Sequence, residues 1–195
     1  GARVIGSNAS SKMEDIVRDA TDAIAEEMDR PFVLIGHSFG ALVAASVASE
    51  IKKRYLPKPL MLCVSSCGTP NAANCNDATR LSSLVSETAF LKEAEGRGWA
   101  KDVSEIDNED VRERAVEILR ADIHAYESAM YDADAPFDFD NGVTILAMGG
   151  EQDRSVPVER IRDWKDEYET KHNAVLINVV KNAGHFYFTR THVET

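Results

Sequence analysis

The chain has 195 residues, 44% of them hydrophobic, which suits one domain with a sizeable core. It carries 33 acidic residues against 22 basic ones, so its net charge is −11. Such a charge argues against nucleic acid or an anionic membrane surface as the main partner. No stretch of the sequence is apolar over a length that could span a bilayer.

The three cysteines, Cys63, Cys67 and Cys75, are odd in number and lack the paired spacing of metal ligands. Cys63 lies within an apolar run and is predicted to be a buried thiol. This cysteine usage indicates a reducing compartment, and we expect a cytoplasmic protein.

The first half of the chain alternates between helical and strand patterns. An amphipathic helix is predicted at 13–28, a strand at 32–35, a helix at 41–54 and a strand at 60–65. Strand, helix and strand in this order form the unit of a parallel sheet. We therefore expect an α/β fold.

A mainly helical region follows a loop at 68–78. It contains a weak helix at 79–95, a glycine-rich turn at 96–98 and a strong amphipathic helix at 108–130. Strand character returns at 143–148, and a helix at 157–168 and a last strand at 174–180 complete the pattern.

This order predicts a helical lid, residues 71–135, inserted into a core formed by residues 1–70 and 136–195. The lid is expected to cover the active site. The alternative is that these helices only flank the sheet.

One turn between strand and helix carries a chemical signature. The strand pattern ends at Gly36, and small and apolar residues of helical character begin after Ser38. The intervening Gly-x-Ser-x-Gly, which ends at Gly40, is typical of a nucleophile elbow, a sharp turn that lifts the serine above the sheet. We expect both glycines to be required by close approach of strand and helix. The alternative is a chance match in a loop.

Three candidate catalytic residues each follow the carboxyl end of a predicted parallel strand: Ser38, Asp153 and His185. Sites in open α/β sheets form at this edge. Their order of nucleophile, acid and histidine is that of α/β-hydrolases. His185 is predicted to activate the Ser38 hydroxyl, and Asp153 to orient His185.

Both partners of Ser38 have rivals in the sequence. Glu151 is the nearest alternative acid, and Asp153 has the alternative role of a solvated carboxylate or helix cap. The strand at 60–65 is followed by two serines and offers no carboxylate. The other histidines are His37, His124, His172 and His192. His37 adjoins the serine within the elbow and is judged poorly placed to act as its base.

Four segments carry a more specific resemblance: residues 31–41, which include the elbow, Ile118-Leu119-Arg120-Ala121-Asp122, residues 149–153, and Gly184-His185-Phe186. Together they resemble the type II, or editing, thioesterases of polyketide synthase and nonribosomal peptide synthetase systems. The resemblance runs over nearly the whole chain. It implies an α/β-hydrolase fold with a mostly parallel sheet.

The resemblance also implies an activity. Members hydrolyse acyl or aminoacyl groups from the phosphopantetheine arm of an acyl or peptidyl carrier protein, without a metal or cofactor. The backbone N–H of Phe39 would then provide one oxyanion contact. The alternatives are a chain-releasing thioesterase domain, a general carboxylesterase, or a carrier-protein binding module without catalysis.

The sequence departs from this family before Gly1, where members have further strands and a loop that donates a second oxyanion N–H. We expect residues before Gly1 to supply strands that pair beside 32–35. The apolar run there suggests a strand covered on both faces. A protein starting at Gly1 is expected to be poorly soluble, weakly active, or both.

Overall fold

The computed structural model describes residues 12–70, 80–100, 103–131 and 137–187. Its elements follow the predicted order with small shifts at their ends. They are α1 (Met13–Ala25), β1 (Val33–His37), α2 (Phe39–Lys53), β2 (Met61–Ser65), α3 (Glu87–Gly96), α4 (Glu109–Tyr131), β3 (Thr144–Gly150), α5 (Val158–Tyr168) and β4 (Val175–Val180). The weak helix predicted at 79–95 is a short 3₁₀ turn, Leu81–Ser83, followed by α3.

Within the described residues the four strands form one parallel sheet in the order β1-β2-β3-β4. Parallel pairing brings the carboxyl ends of all four strands to one edge of the sheet, which positions the loops that follow them. The predicted α/β fold with a parallel sheet is confirmed.

Strand β1 lies at one side of this sheet, next to β2. The prediction that its side chains are covered on both faces does not hold within the described residues: Val33 is 45% exposed and Ile35 is 70% exposed. Leu34, between them, is half-buried. Val33 and Ile35 share one face of the sheet because side chains alternate along a strand, and the described residues leave that face open at β1.

The chain divides into two compact units. One comprises residues 1–15 and 70–134, and the other comprises residues 16–69 and 135–195. The second unit contains the sheet with α2 and α5. No helix of the described part of the chain combines the length and apolar character needed to cross a membrane.

The helical unit has its own apolar core and one buried acid. Its buried side chains are Leu81, Phe90, Leu91, Ala94, Ala100, Val116 and Ile123. Glu127 of α4 is also buried, and its carboxylate accepts hydrogen bonds from the N–H groups of Leu81 and Ser82 at 2.6 and 3.1 Å. This carboxylate therefore holds the 3₁₀ turn against α4. The role of the unit as a lid stays a prediction.

In the sheet unit, aromatic rings tie α5 to the strand ends. Phe137 stacks on Trp164 with ring centroids 5.9 Å apart, and the indole N–H of Trp164 donates to the carbonyl of Cys67 at 2.8 Å. Cys63 and Cys67 are buried free thiols, as predicted for Cys63. Cys75 lies outside the described residues.

Candidate active site

Ser38 occupies the turn between β1 and α2 in a strained backbone conformation. Its φ of 52° and ψ of −124° lie in a region that side chains other than glycine rarely adopt. The turn is held by the Ser38 N–H, which donates to the carbonyl of Ser65 on β2 at 2.7 Å. Such strain at a strand-to-helix turn is the backbone geometry of a nucleophile elbow.

The two glycines of the elbow differ in why they are needed. A Cβ added to Gly36 would lie 2.0 Å from the backbone oxygen of Gly40, so no side chain fits there. A Cβ added to Gly40 would meet nothing within 4 Å. The prediction of a steric requirement is thus correct for Gly36 and wrong for Gly40. Strand and helix do approach closely, and it is the backbone of Gly40 that occupies the space beside Gly36.

His185 lies between Ser38 and Asp153. Its Nδ1 is 2.8 Å from Oδ2 of Asp153, and its Nε2 is 3.0 Å from Oγ of Ser38. An ionised carboxylate can only accept, so Nδ1 carries the proton and donates it to Asp153. In the neutral ring Nε2 is then the acceptor, and the Ser38 hydroxyl donates to it. The three residues that the sequence predicts as a site form one hydrogen-bonded line.

Asp153 is held in one orientation by its surroundings. It is 5% exposed, and its second oxygen accepts from the N–H groups of Ser155 and Val156 at 2.9 and 3.0 Å. Burial alone would raise the pKa of this carboxyl. Hydrogen bonds from His185 and from the Val156 N–H outweigh burial and lower the pKa below its ordinary value. The acid therefore stays ionised beside the imidazole.

The alternative acid, Glu151, has a different hydrogen-bond partner. Glu151 is exposed, and its Oε2 accepts from the backbone N–H of Asn182 at 3.1 Å. It joins the turn after β3 to the loop that carries His185. Asp153, and not Glu151, is the acid in contact with the His185 ring.

The loop of His185 is also packed directly against the end of β3. The N–H of Gln152 donates to the carbonyl of Ala183 at 2.8 Å. A Cβ on Gly150 would lie 2.2 Å from that same carbonyl oxygen. Glycine at 150 is what lets the two loops approach closely enough for His185 to reach Asp153.

The other histidines that the structure describes lie in different surroundings. His124 and His172 are exposed on the surface, and His192 lies outside the described residues. His37 is half-buried, and its Nδ1 lies 3.0 Å from the Oγ of Ser65. Its ring centroid is 5.1 Å from that of His185. His37 is therefore a neighbour of the candidate base.

Phe39 begins α2 directly after Ser38. Its backbone N–H belongs to the first helical turn, where aligned peptide dipoles favour negative charge. An oxyanion formed at a carbonyl attacked by Ser38 would develop beside this turn.

Sequence reasoning missed three residues around this line: Ser65, Ser66 and Tyr187. Ser66 is buried with a positive φ of 47°, and its hydroxyl donates to the carbonyl of His185 at 3.4 Å. A hydrogen bond from Ser66 also helps to lower the pKa of Asp153. The signal in the sequence is the Ser65-Ser66 pair at the end of a predicted parallel strand, whose hydroxyls can form hydrogen bonds at the edge where the site lies.

Cys67, near the same edge of the sheet, carries a thiol that could in principle act as a nucleophile. Burial raises the pKa of this thiol to about 12. The thiolate is therefore scarce at neutral pH. Within the described residues, no cluster of three or more histidine, cysteine and acidic side chains has the geometry to hold a metal ion.

The fold and the sequence both match known proteins. A family model described as thioesterase domain matches residues 2–194. The protein named linear gramicidin dehydrogenase LgrE, from Brevibacillus parabrevis, is 26% identical over 181 residues, which are 92% of this chain and 64% of the relative. Gramicidin S biosynthesis protein GrsT, from Aneurinibacillus migulanus, is 25% identical over 80% of this chain and 58% of its own.

Among solved structures, RedJ, the thioesterase of the prodiginine biosynthetic pathway in Streptomyces coelicolor, superposes with a TM-score of 0.74 at 27% identity. The match covers 92% of this chain and 66% of RedJ. This chain thus spans less than two thirds of the length of each of these relatives. Since the family model covers almost all of its residues, the chain belongs to the thioesterase family.

Proposed function

We propose that this chain is a serine thioesterase that hydrolyses acyl or aminoacyl thioesters on the phosphopantetheine arm of carrier proteins. The observation that supports this most directly is the line from Ser38 through His185 to Asp153, with contacts of 3.0 and 2.8 Å. Family membership supports thioester hydrolysis. Two relatives are named for biosynthetic pathways, gramicidin S and prodiginine, which supports an editing or release role in such a pathway.

In the proposed acylation step, Ser38 Oγ attacks the thioester carbonyl carbon while Nε2 of His185 takes the hydroxyl proton. The carbonyl oxygen becomes an oxyanion beside the Phe39 N–H, an interaction of roughly 3 kcal/mol in transition-state stabilisation. Collapse of the tetrahedral intermediate breaks the carbon–sulfur bond. The imidazolium gives its proton to the departing pantetheine sulfur, which leaves as a thiol.

Deacylation repeats these steps with water. His185 removes a proton from a water molecule, whose oxygen attacks the carbonyl carbon of the Ser38 ester. The second tetrahedral intermediate expels Ser38 Oγ, which regains its proton from His185, and the free acid departs. Throughout, ionised Asp153 stabilises the imidazolium and keeps Nδ1 protonated.

The test follows the mass of an acylated carrier protein with time. The purified full-length protein should return the carrier to the mass of its free pantetheine form. Ser38→Ala should lower kcat by about 10³-fold or more with the fold intact. Ser46→Ala is a control on α2, the helix that follows Ser38; the Ser46 hydroxyl donates to the Leu42 carbonyl at 2.9 Å. Near-normal turnover by Ser38→Ala would refute the assignment of the nucleophile.

The substrate class is tested separately. Turnover of acyl-carrier protein is compared with turnover of the same acyl group on free pantetheine and on p-nitrophenol. A clear preference for the carrier-bound thioester is expected. Equal or better hydrolysis of the p-nitrophenyl ester would favour a general carboxylesterase, and binding of the carrier without turnover would favour a non-catalytic module.

A further inference from the structure

A second hydrogen-bonded line lies beside the candidate catalytic one. The phenol oxygen of Tyr187 is 2.5 Å from Oγ of Ser65, and Oγ of Ser65 is 3.0 Å from Nδ1 of His37. Ser65 is fully buried, and it is the register partner of His37 between β1 and β2. The line therefore connects two strand ends of the sheet to the segment that follows His185.

The segment that carries His185 has no regular secondary structure of its own, so contacts with neighbouring segments, side-chain contacts among them, must hold it. The His37 ring lies against three consecutive rings of this segment, with centroid distances of 5.1 Å to His185, 5.6 Å to Phe186 and 6.1 Å to Tyr187. Tyr187 is in turn bonded to β2 through Ser65. The hydrogen bonds to Asp153 and Ser38 involve the two ring nitrogens of His185. The contact with His37 adds packing against the ring itself.

The charge state of His37 suits such a position. Burial, followed by the charge of His185, lowers the pKa of His37, while the charge of Asp153 acts weakly in the opposite direction. A ring that stays uncharged does not repel the imidazolium that His185 becomes during the proposed reaction. Burial also raises the pKa of the Tyr187 phenol, so that its hydroxyl keeps its proton.

We propose that Tyr187, Ser65 and His37 are positioning residues that hold the His185 ring in line with Ser38. None of the three needs to touch the substrate. The proposal rests on the proposed function, since it assigns these residues a role in the same site. Loss of one link should leave the ring in place less of the time, and so slow the proton transfers without weakening substrate binding.

The experiment compares Tyr187→Phe, Ser65→Ala and the double variant with the wild type, using acyl-carrier protein as substrate. A fluorophosphonate that labels Ser38 counts the active sites, so that kcat is expressed per competent site. Each single variant should lower kcat on the order of 10-fold with KM unchanged. The double variant should lose little more than the worse single variant, because both changes cut the same line.

Tyr168→Phe is the matched control. Tyr168 is a buried tyrosine of the sheet unit, and its hydroxyl accepts from the Phe137 N–H at 3.2 Å. Its removal should change the midpoint of thermal unfolding without changing kcat per labelled site. Unchanged kcat in Tyr187→Phe and Ser65→Ala, multiplied losses in the double variant, or an equal kcat loss in Tyr168→Phe would each overturn the proposal.

The same data separate this proposal from the proposed function. If the wild type neither turned over the carrier thioester nor reacted with the fluorophosphonate at Ser38, the proposed function itself would fail. If the wild type did both and the variants matched it, only the positioning role would fail.

Discussion

At the scale of single residues, the environment of Asp153 makes it the acid of the proposed site. One of its oxygens accepts a hydrogen bond from His185, and the other accepts from the N–H groups of Ser155 and Val156. The hydrogen bonds lower the pKa of a carboxyl that burial alone would raise. Glu151, two residues earlier, is exposed and bonded to a backbone N–H.

Asp153→Asn should lower kcat on the order of 10²- to 10⁴-fold. An amide can donate to His185 Nδ1 and so favours the wrong tautomer, with the proton on Nε2 facing Ser38. Glu151→Gln serves as the control, because Gln can still accept from the Asn182 N–H. Steady-state kinetics of both variants provide the measurement. A large loss in Glu151→Gln with little loss in Asp153→Asn would transfer the role to Glu151.

Acid should remove the part of the stability that ionised Asp153 contributes. Its folded pKa lies below the unfolded value near 3.8, so this contribution is complete above that value and is lost as the pH falls through the folded pKa. Urea unfolding of the wild type and Asp153→Asn at several pH values measures it. The difference in unfolding free energy should shrink below about pH 4. A difference that grows on acidification would contradict the assigned direction of the pKa.

At the scale of elements, the elbow depends on one close contact between β1 and α2. The backbone oxygen of Gly40 occupies the space where a Gly36 Cβ would lie, at a separation of 2.0 Å. The turn can therefore place Ser38 above the sheet only when residue 36 lacks a side chain.

Gly36→Ala should lower the free energy of unfolding by roughly 3 kcal/mol, because backbone rather than a movable side chain must shift to admit the methyl group. Gly40→Ala is the control. Its Cβ meets nothing within 4 Å, and alanine is the better helix former, so its unfolding free energy should change by less than about 1 kcal/mol. Chemical denaturation compares the two. Equal destabilisation by both substitutions would show that the contact is not the cause.

At the scale of the whole molecule, the chain consists of two compact units with separate cores. The sheet unit is held by backbone hydrogen bonds across the four strands that the structure describes. The helical unit depends more on individual side-chain contacts, of which the Glu127 carboxylate is the most buried charged one among the described residues. This difference predicts that the helical unit opens at lower free energy than the sheet.

Hydrogen exchange measured by mass spectrometry on Glu127→Ala should show that the helical unit and the sheet open independently. The substitution removes a charged acceptor from Leu81 and Ser82, a change of about 2 kcal/mol that should speed exchange in 81–131 by about 30-fold. Exchange in β2 and β3 should stay the same. Glu117→Ala on the exposed face of α4, where Glu117 pairs with Arg114, is the control and should change neither. Equal wild-type protection of 81–131 and of 33–37 would count against a moving lid.

The sequence by itself was enough to predict the order of helices and strands, because hydrophobic periodicity is a local property. It also placed Ser38, Asp153 and His185 after the carboxyl ends of parallel strands, and a parallel sheet brings such positions to one edge whatever the details of packing. Their identification as candidates therefore needed no tertiary information.

Only the tertiary structure decided which groups touch. Glu151 and Asp153 are equally acidic in the sequence, and only the structure shows that Asp153 contacts His185 while Glu151 accepts from the Asn182 N–H. Contacts between residues far apart in the chain, such as Ser65 with Tyr187, leave no periodic signal. The different requirements at Gly36 and Gly40 likewise depend on the distance between two backbones. Local pattern encodes elements and their ends, whereas the partner of each side chain depends on the packing between them.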